Sequence, residues 1–123
     1  MTCPSEPLKV WSYARCSTCR KALAWLEQQG LSCDVVDITE TPPSRDLLAS
    51  AAVFLGSRKP LFNTSGQSYR ALGSSTVKAM SDDEALDALA ADGKLIKRPF
   101  VALSDGTFLV GFKLDQWSES LQR

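Results

Sequence analysis

The chain reads as an α/β domain with a mixed central sheet, and three observations carry that reading. A short apolar strand runs into an amphipathic helix and then into a second strand, the order of a βαβ unit. Near the C-terminus two apolar runs flank an Asp-Gly turn, the pattern of a β-hairpin. Between them lie helical patterns punctuated by glycine and proline, which read as a helical insert.

Residues 1–7, with Pro4 and Pro7, read as a flexible N-terminal arm without an apolar leader, and residues 8–123 as one domain. Leu8–Tyr13 is the first strand. Cys19, Ala22, Leu23 and Leu26 then fall at i, i+3, i+4 and i+7, one face of a helix that Gly30 closes as its C′ residue. Ser32–Ile38 is the second strand, parallel to the first if the crossover is right-handed. Pro42 and Pro43 stop the chain, and Ser44 caps a helix over Arg45–Leu55. Gly56, Pro60, Gly66 and Gly73 then predict loop over 56–80, with one short helix near Gln67–Leu72. Ser81-Asp82-Asp83-Glu84 is a capping-box signal for a helix through Ala91 that Gly93 terminates, so the insert spans about residues 44–93. Phe100–Leu103 and Phe108–Phe112 form the hairpin, and Leu114–Leu121 is the last helix.

At 123 residues the chain can bury a core without disulfide staples. Its 14 basic and 14 acidic side chains cancel, which makes no case for direct nucleic-acid binding, since that usually needs a basic face to displace counterions. No run is long and apolar enough to span a bilayer, so the expectation is a soluble, cytoplasmic protein with no membrane partner. Structural disulfides are rare in that compartment, and a Cys-x-x-Cys pair there is more often catalytic, sensory or metal-binding.

Such a pair stands at Cys16-Ser17-Thr18-Cys19, where the strand ends and the helix begins. Two thiols at this spacing can close a disulfide or pass electrons. At the helix N-terminus the Cys16 sulfur meets free backbone N–H groups and the positive end of the helix dipole, and Arg15, Arg20 and Lys21 add charge nearby. Those surroundings favour thiolate, making Cys16 the nucleophile and Cys19, one turn on, the resolving thiol. The competing readings are inert core cysteines or a zinc knuckle. Zinc prefers four ligands, and the chain offers only Cys3 and Cys33 besides the pair, with no histidine, so no metal site is expected. Cys33 reads as a small buried hydrophobe, and Cys3 as a thiol open to glutathionylation or without a role. Trp11, Trp25 and Trp117 read as packing residues. Ser17 and Thr18 either donate to the Cys16 sulfur or cap the helix start. Asn63 and Thr64 either place polar groups in a cleft or cap the short helix that follows. No Gly-rich phosphate loop or ligand cluster implies a bound cofactor.

A Cys-x-x-Cys at the start of the first helix, with Pro99 leading into the third strand, is the thioredoxin plan. Four motifs stand in order along the chain: Cys16-Ser17-Thr18-Cys19-Arg20-Lys21; Glu40-Thr41-Pro42-Pro43-Ser44-Arg45-Asp46; Leu61-Phe62-Asn63-Thr64 followed by Tyr69-Arg70-Ala71-Leu72-Gly73; and Leu95-Ile96-Lys97-Arg98-Pro99-Phe100. With them the chain resembles the arsenate reductase (ArsC)-like and Spx-like family of the thioredoxin-fold superfamily. The resemblance implies a thioredoxin-like fold with an inserted helical subdomain, Cys16 as nucleophile, and Arg98 as the arginine that holds an oxyanion or thiol adduct. It implies a cis Pro99 whose loop lies against the thiols. It also implies a small oxyanion or disulfide substrate, with glutathione, glutaredoxin or thioredoxin as electron donor. The arsenate reductase pattern has two further arginines, and Asn63 and Gly111 stand at those positions here; Cys19 stands where those enzymes more often carry serine. These departures resemble the Spx-like branch, which implies a redox switch that binds the C-terminal domain of the RNA polymerase α subunit. The Glu40–Asp46 motif resembles the reductase side.

Overall fold

The computed structural model describes residues 8–103 and 105–121. The expected arm, with Cys3, lies outside the described residues. The chain forms two compact units, one from the segments up to Val36 and from Arg98 onward, the other from Asp37–Lys97.

The first unit carries β1 (Leu8–Ser12), α1 (Ser17–Gln28), β2 (Cys33–Asp37, whose last residue belongs to the second unit), β3 (Phe100–Ala102), β4 (Phe108–Val110) and α6 (Leu114–Leu121). The strands form one mixed sheet in the order β2-β1-β3-β4. β1 runs antiparallel to β3, pairing Val10 with Val101, and β3 runs antiparallel to β4, pairing Val101 with Leu109. β3 therefore reaches β1 along its whole length, and the chain just before β3, Arg98-Pro99, comes level with the end of β1. β2 is an edge strand, and Val35 in it is half exposed.

Leu8, Val10, Ala22, Leu26, Val101, Leu109, Trp117 and Leu121 form this unit's core, with Trp25, Cys33 and Phe112 packed against it. Cys33 thus sits as a small hydrophobe, and burial pushes its thiol pKa up. Trp117 is fully buried between Trp25 and Phe112, ring centroids 6.2 and 4.9 Å away in edge-to-face contact. Gly30 ends α1 in the left-handed region at φ 70°, its N–H donating to the Glu27 carbonyl and the Leu31 N–H to that of Leu26.

The second unit holds α2 (Arg45–Leu55), a 3-10 turn (Lys59–Leu61), α3 (Gln67–Leu72), α4 (Ser74–Ala79), α5 (Asp82–Ala91) and a second 3-10 turn (Gly93–Leu95). The Ser44 hydroxyl accepts from the Leu47 N–H, and Ser81 and Glu84 form a complete capping box. α2 packs against α5, and Arg45 joins them through Asp83 and Asp87 at 2.9 and 2.6 Å. Beyond the first 3-10 turn, Phe62 bridges Ile96, flanked by the Asn63 N–H on the Leu95 carbonyl and the Lys97 N–H on that of Leu61. That rung ends one residue before Arg98.

Two expectations need correction. The 56–80 stretch holds α4 and a 3-10 turn besides the predicted α3. Ser74–Ala79 opens on four weak helix formers, Ser74 to Val77, and has no capping side chain. It becomes helical because Gly73, at φ 87° and ψ 138°, redirects the chain and Val77 buries its side chain. Gly93 does not end α5; Asp92 is the cap residue, and its carboxylate accepts from the Lys94 N–H to start the next turn. Glycine is needed at 93 for space, since a Cβ there would run into the Ile38 carbonyl.

Candidate active site

Cys16 is the N-cap residue of α1, with φ −88° and ψ 117°. Its N–H donates to the Tyr13 carbonyl and its own carbonyl accepts from the Arg20 N–H, which pins the turn between β1 and α1. No side-chain oxygen caps this helix, and the Cys19 N–H is directed at the Cys16 sulfur. Ser17 and Thr18 are the first two residues of α1, just past the N-cap Cys16, and both are exposed. Arg20 turns back onto the Ala14 carbonyl at 2.7 Å.

Cys16 is half-buried, and Cys19 is fully buried on the core face of α1. Both are free thiols, and their environments drive them apart. Partial burial works against a Cys16 thiolate. It is outweighed by the Cys19 N–H and thiol and by the Arg98 guanidinium, which hold the Cys16 pKa below that of an ordinary thiol. Burial pushes Cys19 the other way, and charge on Cys16 pushes it further; hydrogen bonds from the Tyr13 backbone and the Ser12 hydroxyl offset this only in part.

Arg98 is brought here by the β1–β3 pairing and precedes Pro99 through a cis peptide bond. It hydrogen-bonds the Cys16 side chain, and its guanidinium carbon lies 5.2 Å from the centroid of the Tyr13 ring. The Pro99 carbonyl accepts from the Gly111 N–H at 2.9 Å, and the Gly111 carbonyl accepts from Trp117 Nε1 at 3.0 Å. Gly111 adopts φ 72°, a conformation an arginine side chain would strain. Its backbone braces the Pro99 loop from behind.

Asn63 and Thr64 belong to the helical unit. The Asn63 side-chain carbonyl accepts from the Ser65 hydroxyl at 3.2 Å, and its backbone carbonyl from the Gly66 N–H, so Asn63 organises the turn into α3. Thr64 is exposed.

Two residues that sequence reasoning left as strand are part of this site. Tyr13 supplies the ring under Arg98, and Ser12, the sole buried polar residue among those described, donates to Cys19. A serine ending an apolar strand beside a Cys-x-x-Cys was a usable signal for the second; Tyr13 gave none, because its partner lies 85 positions away. Among the described residues no group of three or more His, Cys, Asp or Glu side chains is placed to hold a metal, and no helix is long and apolar enough to cross a membrane.

A model of the ArsC family matches residues 11–120. The uncharacterized protein YusI of Bacillus subtilis is 44% identical over 116 residues, covering 92% of this chain and 97% of its own. An arsenate reductase of Neisseria meningitidis is 32% identical over 112 residues, covering 88% and 92%. The global transcriptional regulator Spx of Streptococcus pyogenes is 28% identical over 109 residues, covering 88% and 80%. Among solved structures, an ArsC family related protein from Bacteroides fragilis aligns with a TM-score of 0.86 at 34% identity, over 94% of this chain and 98% of that one. The fold is the thioredoxin-like fold of these neighbours.

Proposed function

This chain belongs to the ArsC family and is arsenate reductase-like, and we propose that it is a thiol–disulfide oxidoreductase with Cys16 as nucleophile and Cys19 as resolving thiol. The observation that carries this reading is the opposed tuning of the pair: Cys16 sits at a helix N-terminus against Arg98, and Cys19 is buried and held as thiol. ArsC family enzymes use thiol electron donors and no bound cofactor.

With an arsenic oxyanion, Cys16 thiolate attacks arsenic(V), an S–As bond forms as an As–OH bond breaks, the hydroxide leaves as water with a proton from solvent, and Arg98 steadies the anionic adduct. Cys19, losing its proton to solvent, attacks the Cys16 sulfur. The S–S bond forms, the S–As pair passes to arsenic, and arsenic(III) leaves. With a disulfide substrate the same attack gives a mixed disulfide that Cys19 resolves. Glutathione with glutaredoxin, or thioredoxin, then returns two electrons to Cys16–Cys19. Ser17 and Thr18 contribute backbone N–H groups to the anion, and Pro99 shapes the wall beside it. Asn63 serves its own turn, so the anion relies on Arg98 and the helix N-terminus.

The second reading is an Spx-like redox switch that engages the RNA polymerase α subunit. Gly111 and Cys19 favour it, since an arginine at 111 would be strained and an internal resolving thiol is present. Exposing the reduced protein to arsenate, with diamide as control, and counting thiols by alkylation and mass spectrometry separates the two. Arsenate-dependent loss of both the Cys16 and Cys19 thiols supports the reductase; closure by diamide alone supports the switch.

A further inference from the structure

The motif Leu61-Phe62-Asn63-Thr64 with Tyr69-Arg70-Ala71-Leu72-Gly73 shapes more of the helical unit than its turns. Three of its residues, Phe62, Thr64 and Tyr69, line a cavity of about 320 Å³ that lies wholly within the Asp37–Lys97 unit. That volume is at the small end of the range for small-molecule sites, roughly 300–1,000 Å³. Phe62 follows the first 3-10 turn and Tyr69 lies in α3, Arg58 and Lys59 come from the start of that turn, and Val77 and Lys78 from α4. The helix missed in the sequence therefore builds one side of the cavity.

The lining combines an aromatic and aliphatic surface with unequal cations. Phe62 and Val77 are almost fully buried, and the Phe62 and Tyr69 rings meet edge to face at 6.1 Å. Arg58 is already committed: one terminal nitrogen lies 3.0 Å from an Asp82 carboxylate oxygen and the other donates to the Val77 carbonyl at 3.2 Å, which ties the turn to α4. Lys59 and Lys78 are exposed, and neither forms an ion pair among the described residues. The cavity thus sets Lys59 and Lys78 beside an aromatic and aliphatic surface, with Thr64 as a further polar residue. A ring fits the aromatic surface, and an acid group attached to that ring meets the ammonium groups.

We propose that this cavity is a second binding site, independent of Cys16 and Arg98, for a small aromatic anion, an aryl carboxylate or aryl phosphate. Phe62, Tyr69 and Val77 hold the ring, Lys59 and Lys78 bind the acid group, and Arg58 keeps the wall in place. Binding needs both halves of the ligand, because ammonium groups in water hold a bare anion weakly and the open apolar wall holds a neutral ring weakly.

The test is a 15N–1H NMR titration of the full reduced chain with phenyl phosphate, benzoate, inorganic phosphate and benzyl alcohol. Phenyl phosphate or benzoate should shift the amides of residues 58–64, 69 and 77–78 saturably, at least tenfold more tightly than inorganic phosphate or benzyl alcohol. Their relative affinity identifies the preferred acid group. The double variant Lys59→Gln/Lys78→Gln should weaken that binding at least tenfold with an otherwise unchanged spectrum and an unchanged Cys16 alkylation rate. Shifts that never saturate, equal binding of inorganic phosphate, shifts centred on Cys16 and Arg98, or undiminished binding by the double variant would each overturn the proposal.

Discussion

The two units use arginine differently. In the helical unit Arg45 and Arg58 are paired with Asp83, Asp87 and Asp82, and the pairs tie α2 and the first 3-10 turn to α5. Exposed pairs of this kind add little stability each; they set register between helices. In the thiol-bearing unit Arg98 lies over the Tyr13 ring and hydrogen-bonds the Cys16 side chain. An aromatic face orients a guanidinium without neutralising it, so its positive charge acts on the sulfur. The same side chain is a staple where its partner is a carboxylate and a chemical group where its partners are a ring and a thiol.

If chemistry resides in the thiol-bearing unit, Cys16→Ser should abolish substrate-dependent thiol oxidation, a loss of at least about 10³-fold, while the helical unit's NMR spectrum stays unchanged. Cys19→Ser should still form the first adduct but not resolve it, leaving a Cys16-linked species visible by mass spectrometry.

Arg98→Met removes the charge that favours thiolate. The folded Cys16 pKa, now lowered, should rise toward the ordinary thiol value. Iodoacetamide alkylation should therefore slow at pH 7 and match the parent protein at pH well above about 8.5, where any thiol ionises. A pH–rate profile identical to the parent's would mean the helix N-terminus alone activates Cys16.

The helical unit should be more sensitive to space than to charge. Gly93→Ala forces a Cβ against the Ile38 carbonyl and should destabilise the protein by about 3 kcal/mol in urea unfolding, whereas Arg45→Ala should shift the midpoint only slightly. Trp117→Phe keeps most of the buried ring but leaves the Gly111 carbonyl without its indole donor, a cost of about 2 kcal/mol. It should also slow Cys16 chemistry modestly, because Gly111 braces the Pro99 loop.

Local signals in the sequence were enough to find most elements. The Arg45–Leu55 helix and its Ser44 cap, the Ser81–Glu84 capping box, the Gly30 stop and the Leu114–Leu121 helix all rest on side chains within four positions of the groups they satisfy. The Cys-x-x-Cys was legible for the same reason, since a strand end and a helix start place both thiols without reference to the rest of the chain. α4 was not legible, because its helicity depends on a backbone turn at Gly73 and on the burial of Val77, and neither is encoded in a segment that opens on four weak helix formers, Ser74 to Val77.

The sequence by itself therefore determined the Ser44 and Ser81 caps, which thiol begins the first helix, and the order of strand, helix, insert and hairpin. Only the tertiary structure decided that Tyr13 lies under Arg98, that Ser12 meets Cys19, that Gly111 braces Pro99 and that Lys59 and Lys78 share one cavity. The physical reason is range. Caps and periodicity act through hydrogen bonds and faces a few residues apart, whereas the tuning of a thiol depends on charges and rings that strand pairing and helix packing carry in from distant parts of the chain.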